Sequence, residues 1–107
     1  GQAQEAVSHL HQAIRLDPKA DAPHFDLGSL FLKQEKLTEA YDEFRAAAKL
    51  NPMDSQAFGS LGIIAFRSGK FPVAKAFLER ALQLNPDDSI ARQYLESLKE
   101  LSNRKAP

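Results

Sequence analysis

Three prolines set the frame of this sequence. Pro18, Pro52 and Pro86 each close a Leu-Asp-Pro or Leu-Asn-Pro turn (Leu16-Asp17, Leu50-Asn51, Leu84-Asn85), and they stand 34 residues apart, twice. Sliding residues 19–52 onto 53–86 gives 8 identities in 34. They pair Leu27 with Leu61, Gly28 with Gly62, Lys36 with Lys70, Ala40 with Ala74 and Ala47 with Ala81, and then Leu50, Asn51 and Pro52 with Leu84, Asn85 and Pro86. Self-similarity at such a period marks a chain of stacked units, each of which buries its apolar face on a neighbour. Residues 1–18 carry the second half of one more unit, with Ala6, Leu10, Ala13 and Pro18 in register.

Each full unit reads as two helices. Residues 21–34 place Leu27, Leu30 and Phe31 at helical spacing, with Asp21 as N-cap and Pro23 in the first turn, where a missing N–H costs little. The partner helix starts at Thr38, a second cap candidate, and turns Ala40, Tyr41, Phe44, Ala47 and Ala48 inward until Pro52 stops it. In the next unit Asp54 or Ser55 is the cap, and Leu61, Ile64 and Ala65 face inward. Gly69 makes the turn, Pro72 opens the partner helix, and Ala74, Phe77, Leu78, Ala81 and Leu82 are buried. Asp87-Asp88-Ser89 then caps a last helix over roughly residues 89–104, with Leu95, Leu98 and Leu101 inward. Nothing alternates as a half-buried strand would. Gly28 and Gly62 sit mid-helix, where Gly costs about 1 kcal/mol relative to Ala. A cost repeated at one register predicts a close helix–helix approach, with Ala40 and Ala74 opposite the glycines.

At this point the pattern resembles the tetratricopeptide repeat (TPR) family, whose signature is W-x2-L-G-x2-Y, then A-x3-F, Ala and a closing Pro. The first full unit gives His24-x2-Leu27-Gly28-x2-Phe31, then Ala40-x3-Phe44, Ala47 and Pro52. The second gives Phe58-x2-Leu61-Gly62-x2-Ala65, then Ala74-x3-Leu78, Ala81 and Pro86. The last helix departs from the signature: Leu95 keeps its place, but Arg92, Glu96 and Lys99 stand where Trp, Gly and Tyr belong. The resemblance implies an all-α, right-handed superhelical stack of antiparallel helix pairs. Residues 1–107 form one domain on this reading: 1–18 the second helix of a partial repeat, 19–52 and 53–86 full repeats, and 87–107 a C-terminal capping helix and tail. The first helix has no partner for Ala6, Val7, Leu10, Ala13 and Ile14, so the expectation is the C-terminal part of a longer array, or a partner supplied by another chain.

Composition narrows the function. Fourteen Lys and Arg balance fourteen Asp and Glu, so the formal net charge is zero. A nucleic-acid binder or a reader of anionic membranes would carry a basic surplus, and no stretch is long and apolar enough for a spanning helix. The expectation is therefore no nucleic-acid partner and no membrane insertion. The chain has no Cys, which removes thiolate chemistry and disulfides but does not fix the compartment. No catalytic or cofactor motif occurs. His9 and His11 diverge on a helix, Glu5 and His9 alone do not make a metal site, and His24 reads as a partly buried packing residue. Glu39, Asp42 and Glu43 read as a solvated face, and Lys75–Glu79 and Glu100–Arg104 as surface i, i+4 pairs. No enzyme, cofactor or metal is expected.

The resemblance further implies that the first helix of each pair lines a concave groove. The groove residues would be Phe25, Ser29, Leu32 and Lys33, then Gln56, Ile63, Phe66 and Arg67, with Gln93 from the last helix and Tyr94 near it. Phe25, Leu32, Ile63 and Phe66 are large apolar groups on a face that packing within each pair does not use. Such patches mark interaction surfaces. The alternative is that some bridge adjacent repeats, with Phe25 and Phe66 folded into the stack. Lys33 and Arg67 would hold an acidic or C-terminal group of a partner. The family's carboxylate clamp for chaperone tails is not expected, because Phe25, Ser29, Ser60, Ile90 and Tyr94 stand where its Lys, Asn and Arg belong. The reading is a non-enzymatic module that binds a protein or peptide segment. The alternatives are self-association through the first helix or the groove, and a docking segment of a larger enzyme.

Overall fold

A computed structural model describes residues 1–105. Among these residues the structure is all-α: α1 (Gln2–Leu16), α2 (Ala22–Lys33), α3 (Leu37–Leu50), α4 (Ser55–Arg67), α5 (Phe71–Leu84) and α6 (Ser89–Lys105). The helices form two compact units that divide after Pro52. In the first, α2 packs on α1 and α3. In the second, α4 packs on α5, and α6 lies on both.

The core of the first unit is Leu27, Ala40, Phe44, Ala47 and Ala48. That of the second is Ala57, Leu61, Ile64, Ala65, Ala74, Leu78, Ala81, Ala91 and Leu98. Small residues alternate with single large ones, which lets paired helices approach closely. The close contact falls one turn away from the expected position. A Cβ on Gly28 would lie 2.9 Å from the Phe44 ring, and one on Gly62 would lie 2.6 Å from Leu78 Cγ and 3.2 Å from the Leu78 backbone nitrogen. The glycines thus receive Phe44 and Leu78 rather than Ala40 and Ala74. The alanines are buried beside that contact. Of the three leucines expected inward on α6, Leu98 is buried while Leu95 and Leu101 are half-buried. Ala91 is buried on the same face.

The connection inside each pair has one geometry. The N–H of Glu35 donates to Leu32 O and that of Lys36 to Phe31 O, and 34 residues later Gly69 donates to Phe66 O and Lys70 to Ala65 O. This is the Schellman pattern, with the residue after the cap in the left-handed region. Gly69 has φ 77° and Glu35 has φ 59°. The first unit therefore holds a side chain where the second has the residue suited to that conformation. The turn bonds also move the start of α3: Lys36 holds the N-cap position and Leu37 begins the helix, so Thr38 lies inside rather than capping it.

The other caps differ in kind. Asp54 accepts from Gln56 N at 3.0 Å and Ala57 N at 3.3 Å, which decides between Asp54 and Ser55. Asp88 accepts from Ala91 N at 3.0 Å. Asp21 holds the N-cap position of α2, but its carboxylate bonds no helix N–H and instead accepts from Asn51 Nδ2 at 3.5 Å. That bond ties the end of α3 back to the start of α2.

Gly62→Ala is expected to lower unfolding free energy by up to about 2 kcal/mol, because overpacking of about 1–3 kcal/mol offsets or exceeds a helix-propensity gain of about 1 kcal/mol. Glu35→Gly is expected to raise it by about 1 kcal/mol through relief of the left-handed backbone. Urea titrations of both variants read these signs directly, and reversed signs would refute the packing described.

Candidate functional site

The candidate residues of the first unit all lie on α2 and the turn of helix before its end. Phe25 is half-buried, and its ring meets Phe44 edge-on at 5.3 Å and 74°. The Ser29 hydroxyl donates to Phe25 O at 3.2 Å, which turns it back on its own helix. Leu32 is half-buried and Lys33 is exposed. In the second unit Gln56 is exposed and Ile63 half-buried on α4, and Arg67 is exposed at its end. Phe66 is half-buried, 5.5 Å from Phe71 and 5.1 Å from Tyr94 by ring centroids. Gln93 is exposed on α6.

These positions change one expectation. Phe25 contacts α3 through Phe44, and Phe66 contacts α5 through Phe71, so packing within each pair does use them. Each contributes an edge-to-face or tilted ring contact of the kind that fixes aromatic orientation. Leu32 and Ile63 are half-buried aliphatic groups. The repeat offset pairs Leu32-Lys33 with Phe66-Arg67, an apolar residue followed by a cation at the end of each first helix. Tyr94, placed near the groove by sequence, stands edge-on to Phe66 at 81° and belongs to the packing of the second unit.

A polar contact also departs from the reading of Glu43 as a solvated residue. Glu43 Oε1 lies 2.8 Å from His24 Nδ1, and the two side chains are 21% and 18% exposed. His24 packs between helices as expected, but with a carboxylate partner on α3. Thirty-four residues on, the same two positions are Phe58 and Phe77, with ring centroids 6.3 Å apart, and the Arg80 guanidinium lies over Phe58 at 5.7 Å. One structural position is thus filled by a polar pair in the first unit and an apolar pair in the second. No single-residue signature finds this exchange; it shows only when both partners are compared across the offset.

Arg92, which replaces the signature Trp, donates from its guanidinium to Pro86 O. His9 and His11 are both exposed on α1, and no group of three or more potential metal-ligating side chains comes together among the described residues. None of the helices there is long and apolar enough to cross a membrane.

The tetratricopeptide repeat profile matches residues 1–54 and 25–89. The chain belongs to the tetratricopeptide repeat family. Solved TPR structures share its fold. The first TPR of Spaghetti (RPAP3), bound to the HSP90 peptide SRMEEVD, superposes with a TM-score of 0.88 over 96% of this chain and 82% of that one, at 23% identity. The Arabidopsis OM64 TPR domain gives 0.85 over 92% and 82%, at 20% identity. YrrB, a TPR protein described as having an unusual peptide-binding site, gives 0.78 over 89% and 49%, at 23% identity. In sequence, the chain is 38% identical over 58 residues to U-box domain-containing protein 70 of Oryza sativa subsp. japonica. That match takes in 54% of this chain but spans only 7% of the rice protein.

The His24–Glu43 exchange gives a prediction. His24→Phe alone leaves a half-buried carboxylate without its partner and is expected to cost about 1 kcal/mol. Adding Glu43→Phe installs the pair of the second unit, and the double variant is expected to regain that loss. Thermal melts of the singles and the double measure the coupling. Additive effects would contradict it.

Proposed function

We propose that the chain is a non-enzymatic protein-interaction module that binds partner segments through the first helix of each repeat. TPR proteins are generally an interaction fold rather than a catalytic one, and fold alone does not name a partner. The observation that carries the proposal is the repeated pairing at the end of each first helix. Leu32 and Lys33, and Phe66 and Arg67, present a half-buried apolar group beside an exposed cation in both units. Ser29, Ile63, Gln56 and Gln93 extend the polar and apolar contacts. Phe25 and Phe66 serve as half-buried supports whose rings are held by Phe44 and by Phe71 and Tyr94. The segment best suited to this surface has apolar side chains spaced along it and a carboxylate, internal or terminal, for Lys33 or Arg67. The peptide-bound Spaghetti domain supports this class of ligand through its fold. The SRMEEVD peptide itself does not carry over, because Phe25, Ser29, Ser60, Ile90 and Tyr94 stand where the family's carboxylate clamp for chaperone tails has its Lys, Asn and Arg.

A second reading, a docking segment within a larger multidomain protein, is favoured by the match to a U-box protein of which the aligned segment is a small part. It uses the same surface and predicts the same contacts.

The test is selection of binding peptides from a random displayed library on the 107-residue chain. Enriched peptides are expected to combine apolar and acidic residues. They are expected to lose about tenfold or more in affinity to a Lys33→Glu, Arg67→Glu variant, by charge repulsion. They are expected to lose a similar amount to Leu32→Ala, Ile63→Ala. No enrichment, or unchanged binding by both variants with intact helical content, contradicts the proposal.

A further inference from the structure

A second surface runs along the seam between α5 and α6. Two adjoining clefts of about 410 and 250 Å³ share Leu98 and Ser102. Phe71, Pro72 and Leu101 line one end. Lys75, Glu79, Glu96 and Lys99 rim the other over a floor of Leu95 and Leu98. The expected Lys75–Glu79 pair does not close. None of the four charges makes an ion pair among the described residues, and all four are exposed.

The repeat register says what does not belong in this trough. Glu96 takes the place of Gly28 and Gly62, where even a Cβ collides with the packed partner helix. Lys99 takes the place of Phe31 and Ala65. A further second helix packed as α3 packs on α2 would bury both charges and meet the Glu96 side chain. The trough therefore suits an occupant that answers charge with charge.

The charges run in order. α5 and α6 are antiparallel neighbours, so Lys75 lies toward Lys99 and Glu79 toward Glu96. One stretch of the trough is basic and the next acidic. Such a pattern is its own complement under a two-fold rotation, which sets each acidic stretch opposite the basic stretch of an identical copy. The zero net charge of the chain adds no long-range repulsion against such a meeting. We propose that the α5–α6 trough is a self-docking surface on which two copies of this chain meet about a two-fold axis. The α6 helices run antiparallel across it, Glu96 of one copy faces Lys99 of the other, and Lys75 and Glu79 flank them. The surface shares no residue with the proposed peptide-binding face, so the two proposals stand or fall separately.

Sedimentation equilibrium with charge exchange tests it. The wild-type chain is expected to form a reversible dimer within concentrations up to about 1 mM, and to dissociate as salt is raised. Lys99→Glu and Glu96→Lys alone each set like charges together and are expected to weaken the dimer about tenfold or more. The double variant Glu96→Lys, Lys99→Glu restores the complement and is expected to return to within about threefold of wild type. Circular dichroism confirms that each variant is folded. A wild-type chain that stays monomeric, or a dimer that the single exchanges leave unchanged, overturns the proposal. So does a double variant as weak as the singles.

Discussion

Within each repeat, two helices approach so closely that no Cβ fits at one position of the first. The rest of the structure depends on that approach. Gly28 admits the Phe44 ring and Gly62 admits Leu78. The inserted side chain is then 0–1% exposed, and the alanines one turn to either side, Ala40 and Ala47 or Ala74 and Ala81, are sealed with it. Most of the buried core of each pair is thus laid down by one glycine and one large residue sixteen positions later. The cost of a mid-helix Gly is repaid by dispersion contacts that a wider spacing would forgo.

Once that spacing is set, the outer positions are free to vary, and they do. His24–Glu43 and Phe58–Phe77 fill one site with opposite chemistry. Glu35 and Gly69 occupy one turn conformation. The residues read as the binding face, Leu32-Lys33 and Phe66-Arg67, are set at matching places by the same spacing. The proposed binding residues are among these variable positions, over a scaffold held by the repeated ones.

The same division explains what the sequence disclosed. The 34-residue period, the small residues and the prolines are local and repeated, so the helices, the turn at Gly69 and nearly all of the buried residues were legible. The start of α3 was not, because Thr38 is a good cap by type while the Schellman turn at Glu35 and Lys36 had already decided the boundary. The partner of Gly28 was misplaced by one turn, since sequence spacing does not report the direction in which Phe44 leans along its helix. The engagement of Phe25 and Phe66 with Phe44, Phe71 and Tyr94 was hidden for a related reason. A ring on the outer part of one helix reaches its neighbour through its length, which a face assignment ignores. Glu43 was read as solvated because its partner lies nineteen residues upstream on another helix.

The central claim is that the glycine exists to receive the side chain opposite. A double-mutant cycle of Gly62→Ala and Leu78→Ala, followed by urea unfolding, tests it most directly. Truncation of Leu78 removes the Cγ and Cδ2 that the new Cβ would strike at 2.6 and 2.8 Å, and leaves the 3.2 Å approach to the Leu78 backbone nitrogen. In that background Gly62→Ala is expected to become neutral or to stabilise by up to about 1 kcal/mol, the helix propensity of Ala over Gly. An equal loss from Gly62→Ala in both backgrounds would contradict the account.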